Sequence, residues 1–308
     1  MPQLAKKIEI EPIVRNAMQD DVEGINQLFR DEYGNGYPYC IGKLNTEHVN
    51  LVAEVDGEVV GFAKAAPYGH YDHAWELCSL MVRPDHRGQG IAREFGLARI
   101  ARLHAMGVKT LVSEPVTCYE NCASQYHLKH FGFEFMGLQP FLHPWIKPEV
   151  LGDQPLTLAL MVTSLNGGTG FGSRSLHMTD MDRAAASLVL ESHTLQPPWT
   201  DFFGVRMPKP VFMRGKEVHG IQGAEFVDVP LNWRPARNMA DVLRRDGFRF
   251  SVVLPGFGRT ESGEPYDLLR MYRPPLTCAQ PDAFNLIHVI PELEPLKRFQ
   301  AGEHTSRS

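Results

Sequence analysis

Apolar residues recur along this chain with two spacings, and the spacings predict its elements. Ile8 to Arg15 reads as an opening strand. Asp20-Asp21 then caps a helix from Val22 to about Tyr33, with Ile25, Leu28 and Phe29 at helical spacing. Gly34 to Tyr39 is a loop of chain breakers and aromatic rings. Leu51 to Val55 and Val59 to Ala66 are two strands joined by Asp56-Gly57, a strong hairpin signal. Trp75 to Val82 is a strand that Pro84-Asp85 stops, since proline cannot donate to a ladder. The next helix runs from Ile91 towards Met106, with Ile91, Phe95, Ala98, Ala101 and Ala105 on one stripe. Lys109 to Val116 is a strand again, and strand, helix, strand in this order fits a right-handed crossover between parallel neighbours. A helix from about Asn121 to His130 and strands over Phe133 to Leu138 and Leu156 to Thr163 follow.

The second half repeats part of the first. Pro115, Gly132, Phe133, Phe135 and Pro140 recur 115 positions later as Pro230, Gly247, Phe248, Phe250 and Pro255. Identities at a constant offset are a repeat signal. The later copy reads as strand (Ala224 to Leu231), helix (Arg234 to Arg245), strand (Phe248 to Leu254) and strand (Tyr266 to Tyr272). It opens with a capped helix, Thr179 to His193. The expected organisation is a first domain over 1–165, a Gly/Ser-rich linker over 166–178, an incomplete copy over 179–276 and a proline-dotted tail over 277–308. In the tail, Ala283 to Ile290 is a candidate strand, and the last few residues are expected to be mobile. The copy is expected to pack on the first domain as a built-in pseudo-dimer partner, in a chain that is a monomer or a homodimer.

Composition removes several classes. A net charge of -5 and a pI near 6.2 give no sequence-wide basic character for nucleic acid or an anionic membrane. No apolar run reaches the ~20 residues of a membrane helix, and Met1 to Pro12 lacks the apolar core of a signal peptide. Five scattered cysteines suit reduced thiols, so a cytoplasmic location is expected. Cys118 and Cys122 have no second cysteine pair, and His70 and His73 form a lone pair in a polar turn, read as a surface loop; no metal is expected.

The chemistry concentrates where the strand Trp75 to Val82 meets the helix from Ile91. Gly88 and Gly90 allow a tight turn and leave no side chain over the amides. The first amides of a helix lack internal partners and carry the positive end of its dipole. A strand feeding such a turn makes an anion cradle suited to a pyrophosphate, and Arg87 adds a fixed positive charge. The stretch lacks the Lys-Ser/Thr ending of a nucleoside triphosphate loop and the three-glycine spacing of the dinucleotide fingerprint.

What it does match is Arg/Gln-x-x-Gly-x-Gly/Ala, as Arg87-Gly88-Gln89-Gly90-Ile91-Ala92, behind Val-x-Pro-x-x-Arg over Val82 to Arg87. In that setting it resembles the acyl-CoA pyrophosphate loop of the GNAT family of N-acetyltransferases. The resemblance covers Ile8 to about Leu165. It implies an α/β (α+β) GNAT fold, a mixed central sheet flanked by helices, with a second, partial GNAT-like α/β domain behind it. It also implies acetyl-CoA as co-substrate. Arg87, Gly88, Gln89, Gly90, Ile91 and Ala92 would hold its pyrophosphate, and backbone groups of Leu80, Met81 and Val82 its pantetheine arm and thioester oxygen. A loop placed like Gly34 to Tyr39 walls the acceptor pocket in such a fold; the other reading is a plain connection. The family's tyrosine four residues before Gly132, which protonates the leaving thiolate, is Leu128 here. The Tyr-Gly-x-Gly-Tyr-Pro loop with Ser124-Gln125 is similar to a branch in which a second, incomplete copy follows.

Acyl transfer to an amine needs a base, donors for the oxyanion and a proton for the thiolate. Glu76 is the candidate base. It shares a strand face with Cys78, Leu80 and Val82 by the period of two, and it lies eleven residues before Arg87, where family members carry a glutamate working through water. Apolar walls should raise its pKa; the other reading is a strand-end glutamate facing water. Tyr119 and Tyr126 are candidate proton donors, Tyr126 being better placed as core. Asn121 either bonds the pantetheine amides or caps its helix. A covalent route through Cys78 or Cys118 is discounted, because direct transfer needs no nucleophile. The function expected is acetyl transfer to a small-molecule amine acceptor. A non-catalytic acyl-CoA-binding module and a protein N-acetyltransferase are the competing readings.

Overall fold

A computed structural model of the chain describes residues 11–34, 40–69, 71–143, 156–165, 176, 178–188, 211–214, 225–232, 235–260, 262–263, 265–274 and 288–301. The chain divides into two compact units, one of residues 1–67 and 75–108, the other of residues 68–74 and 109–308. The units part at Pro67–Tyr68, Ala74–Trp75 and Val108–Lys109.

The first unit holds the strands β1 (Ile13–Asn16), β2 (Val49–Val55) and most of β3 (Glu58–Tyr68) and β4 (Tyr71–Val82), neighbours in that order; Tyr68 at the end of β3 and Tyr71 to Ala74 at the start of β4 fall in the second unit. β1 and β2 pair antiparallel, as do β2 and β3. The hairpin turn forms at Asp56-Gly57, both left-handed at φ 52° and 82°, which is why glycine follows aspartate there. Helix α1 (Val22–Tyr33) buries Ile25, Leu28 and Phe29 against Val52, Phe62 and Met81, the face its spacing predicts. Asp21 stands at the N-cap of α1, but its side chain makes no capping bond to that helix, contrary to the expected cap. It accepts the Met18 amide at 2.6 Å and a forked pair from Arg15 at 2.7 and 2.8 Å, while Arg15 Nε reaches Glu54 at 2.8 Å. One arginine thus ties β1, β2 and the start of α1.

Helix α2 (Ile91–Ala105) departs from expectation. Its buried stripe is Ile91, Phe95, Arg99 and Leu103, and Ala101 and Ala105 face solvent. Phe95 comes close because Gly61 has no side chain; a Cβ there would lie 3.0 Å from the Phe95 ring. Arg99 is buried because it serves the backbone. Its Nε donates to the Phe95 carbonyl at 3.2 Å, and its Nη1 to the carbonyls of Lys64 at 3.2 Å and Cys78 at 3.4 Å. The next residue, Ser79, has φ 52°, which interrupts regular strand geometry. Burial pulls the Arg99 guanidinium down to about 10.

The second unit holds β5 (Thr110–Ser113), β6 (Glu134–His143), β7 (Leu156–Ser164), β8 (Val211–Arg214), β9 (Glu225–Pro230), β10 (Arg249–Arg259) and β11 (Pro265–Arg273). Their order is β5-β7-β6-β10-β11-β9-β8. Reading outward from the middle, β6 and β10 come first, β7 and β11 next, β5 and β9 after them. At the middle Gly137 pairs with Val252, 115 positions on. Gly137 has φ 147°, and a Cβ there would lie 2.4 Å from the Ser251 carbonyl oxygen and 2.7 Å from Val252 Cγ1. Two side chains close the seam: Ser251 Oγ donates to the Leu138 carbonyl at 2.8 Å, and Gln300 Nε2 to the Phe250 carbonyl at 3.0 Å.

Helices α3 (Ala123–His130), α4 (Asp180–Ser187), α5 (Ala236–Arg245) and α6 (Glu294–Ala301) belong to this unit. Thr179 caps α4 by accepting the Asp182 amide at 3.1 Å, as its sequence predicts. The tail holds a helix that the sequence reading did not include, and α6 buries Leu296 and Gln300. Residues 288–290 are not a strand, yet the His288 amide donates to the Thr117 carbonyl at 2.7 Å and Gln125 receives the Ile290 amide at 3.2 Å. Residues 166–175 of the expected linker and 283–287 of the candidate strand lie outside the described residues.

Gly137→Ala is expected to cost about 2–4 kcal/mol, from overpacking plus a disfavoured φ, and to lower Tm by roughly 5–10 °C in calorimetry. Gly107→Ala is the control, since Gly107 also has positive φ (77°) but nothing within 4 Å. Equal losses in both would contradict a close-packed seam.

Candidate functional site

After β4 the chain makes one turn of 3-10 helix, Pro84–His86. Arg83 holds this entry, donating to Asp85 at 2.8 and 3.0 Å and to Glu58 at 3.1 Å. Gly88 and Gly90 then take left-handed φ values of 79° and 82°, and Gly90 is the N-cap of α2. Any other residue there would be strained. Gly88, Gln89 and Gly90 are exposed, whereas Ile91 is buried and pins the first helical turn. Among the described residues no hydrogen bond is donated by the main-chain N–H groups of residues 88–93. A row of open amides at the positive end of a 15-residue helix is an anion cradle.

Arg87 stands beside the cradle, and its side chain is engaged. Nε donates to the Val82 carbonyl at 2.9 Å and Nη2 to Glu32 at 2.9 Å. No sequence signal pointed to Glu32, whose partner lies 55 residues away. Of the three residues expected to offer backbone to the pantetheine, Met81 is buried in the core, and Leu80 and Val82 are half-buried. Ala92 is half-buried as well.

Glu76 is half-buried on β4. Burial first, and the Glu76 charge second, push the Cys78 thiol up to about 12. Cys78 therefore stays protonated at neutral pH and is a poor nucleophile, in line with direct transfer. No disulfide joins Cys40, Cys78, Cys118 and Cys122.

Tyr119 and Asn121 belong to the second unit. Tyr119 is half-buried against Cys118, Leu156 and Leu158. Asn121 is exposed, and its Oδ1 accepts the Ala123 amide at 3.2 Å, a local turn just ahead of α3, whose N-cap is Cys122. Tyr126 is 51% exposed, which corrects its placement in the core; the helix turns its Leu128 face inward instead. His73 is likewise no surface-loop residue. It lies on β4 and packs edge-on against Tyr71 and Phe257. Most of the aromatic loop, residues 35–39 with Tyr37 and Tyr39, lies outside the described residues.

Residues 19–133 match the model of the Acetyltransferase (GNAT) family. The matched segment, 115 of the chain's 308 residues, is similar to a GNAT acetyltransferase domain. Its fold is the α/β GNAT fold, a mixed sheet flanked by helices. Similar solved structures include an N-acetyltransferase from Staphylococcus aureus Mu50, at 24% identity and a TM-score of 0.42 over 50% of this chain and 99% of that one. A phosphinothricin acetyltransferase from Sinorhizobium meliloti, in complex with AcCoA, is 22% identical with a TM-score of 0.42, over 52% of this chain and 91% of that one. A putative acetyltransferase from Salmonella typhimurium with its cofactor acetyl-CoA is 20% identical, with a TM-score of 0.40, over 50% and 94%. No curated protein matches the chain. Among the described residues no helix is long and apolar enough to cross a membrane.

Because Glu32 competes for Arg87, Glu32→Gln should tighten acetyl-CoA binding by roughly 1.5- to 5-fold, the worth of an exposed ion pair. Arg87→Ala should weaken it by roughly ten- to a hundredfold, as loss of charge-assisted bonds does. Titration calorimetry measures both, and a weaker Glu32→Gln complex would contradict the competition.

Proposed function

We propose that the chain is an acyl-CoA-dependent N-acyltransferase that moves an acetyl group from acetyl-CoA to the amine of a small molecule by direct attack. The observation that carries this reading is the loop at the head of α2, with two left-handed glycines and a run of undonated amides inside a segment similar to a GNAT domain. The cradle suits the pyrophosphate, and Arg87 can turn to it from Glu32. The kink at Ser79 supports main-chain capture of the pantetheine by Leu80 to Val82, since strand geometry is already interrupted there. Glu76 takes the proton from the acceptor nitrogen as it attacks, directly or through one water. Tyr119 is the proton donor to the departing thiolate, and Asn121 keeps its side-chain amide for the pantetheine while its oxygen accepts the Ala123 amide.

The second half is read as a partial duplicate without a phosphate loop. Its support is the strand order mirrored about β6 and β10 and the 115-residue offset across that seam. The duplicate acts as an internal pseudo-dimer partner, and the whole works in the cytoplasm without metal.

The test is CoA release over a panel of primary amines. Glu76→Gln should lower turnover by roughly 10²–10⁴-fold, the span of general base catalysis, with acetyl-CoA affinity little changed. The rising acidic-to-neutral limb of the wild-type pH profile should vanish. Near-normal turnover with the limb intact would remove Glu76 as the base.

A further inference from the structure

The second unit contains a hydrogen-bonded chain of side chains that nothing above uses. It begins at a buried ion pair. Arg270 forks onto Asp228, Nε to Oδ1 at 2.8 Å and Nη2 to Oδ2 at 2.9 Å, and both residues are at most 5% exposed. Arg270 Nη1 donates to Gln139 Oε1 at 2.6 Å and to the Tyr68 hydroxyl at 3.1 Å. The Tyr71 hydroxyl donates to Asp228. From there the chain converges on Glu114, just past β5: the Tyr68 hydroxyl and Gln139 Nε2 each donate to its Oε1 at 2.8 Å. Both bonds land on the same oxygen. Among the described residues no hydrogen bond ends on Glu114 Oε2, and Glu114 is only half-buried.

The fold does not demand the ion pair. In the β9–β11 ladder Asp228 faces Arg270; at the mirror position of the β5–β7 ladder Ser113 faces Met161. The same strand geometry therefore closes over a serine and a methionine. A buried ion pair is expensive to desolvate and often no better for stability than apolar packing, so its presence on one side only points to a task. Its geometry shows which one. Arg270 fixes Gln139 and Tyr68 as donors, and these fix one oxygen of Glu114. Burial, with the charges of Glu114 and Asp228 adding to it, raises the phenols of Tyr68 and Tyr71, so both stay protonated and can only donate to the carboxylates.

Aromatic rings flank the carboxylate's partner. Tyr68 and Tyr71 stack at 6.1 Å, and Phe257 stands edge-on to them at 6.1 and 5.4 Å. A half-buried carboxylate with one oxygen that takes no hydrogen bond among the described residues, and whose donor Tyr68 stacks on the half-buried ring of Tyr71, suits a cation that carries apolar or aromatic substance. We propose that Glu114 is the ammonium-binding residue for the acceptor, that Arg270, Asp228, Gln139 and Tyr68 position it, and that the acceptor class is a primary amine attached to an aromatic or apolar body. The proposal rests on the N-acyltransferase reading for the word acceptor, while the ammonium site itself stands on this network alone.

The test uses the full chain and two probes, phenethylamine and its trimethylammonium analogue, which cannot be acylated. Calorimetry should show wild type binding the analogue, and Glu114→Gln should weaken it by roughly tenfold or more, the loss of a charged hydrogen bond. Asp228→Ser combined with Arg270→Met recreates the Ser/Met pair of the mirror ladder. It should fold with a Tm near wild type and still lose affinity. Gln139→Leu gives a second, milder reading if that double variant fails to fold. In kinetics with phenethylamine, Glu114→Gln should raise KM by a similar factor with acetyl-CoA affinity unchanged. Wild type that binds neither probe, or Glu114→Gln binding within twofold of wild type, overturns the proposal. Binding of the analogue without CoA release from any amine would sink the transferase reading and leave the ammonium site standing. CoA release from phenethylamine with an unchanged KM in Glu114→Gln would do the reverse.

Discussion

A buried guanidinium with no carboxylate partner among the described residues fixes the part of the first unit on which the ligand loop depends. Arg99 ties α2 to β3 through the Lys64 carbonyl and to β4 through the Cys78 carbonyl. Burying a charge this way is costly, and its guanidinium is pulled down to about 10 as a result. The cost is offset because the kink at Ser79 disturbs the regular ladder beside the Cys78 carbonyl, and a carbonyl left unpaired in the interior would be costly too. Arg99 settles both. It accompanies the departure of β4 from regular geometry at Ser79, and it locks the helix whose first amides form the cradle. Ile91 and Phe95 on the same stripe complete the attachment.

The second unit is governed by a different constraint, the approach of β6 to β10. Gly137 admits Val252 at a distance no side chain would allow, and the ladders on either side follow in mirrored order. That mirror makes the differences between its two sides informative. Where one side packs Ser113 against Met161, the other sets Asp228 against Arg270 and extends a polar network to Glu114. Shared geometry with unequal chemistry separates what the sheet needs from what a ligand would need.

Local signals in the sequence were legible because the residues that carry them act on their own neighbourhood. Asp56-Gly57 turned the hairpin, Thr179 capped its helix, and Gly88 and Gly90 shaped the loop, each through backbone preferences of one or two residues. The α2 stripe was misread at Arg99 because an arginine's burial is decided by carbonyls 21 and 35 residues away. Glu32 was invisible for the same reason, as was the convergence on Glu114, whose donors lie 25 and 46 residues from it. Tyr126 was misplaced because an aromatic ring on a short helix carries no direction without knowing which face packs. The α6 helix was hidden by the prolines around it, Pro291 and Pro295, which sit in its first turns where proline is tolerated.

The central claim is that this chain has one acyl-CoA site, built by the two left-handed glycines ahead of α2. Titration calorimetry of the full chain with acetyl-CoA tests it most directly, alongside a Gly90→Val variant. One molecule bound per chain, with binding lost in the variant while the fold is kept, is the result this structure predicts. Two molecules per chain, or undiminished binding to Gly90→Val, would contradict it.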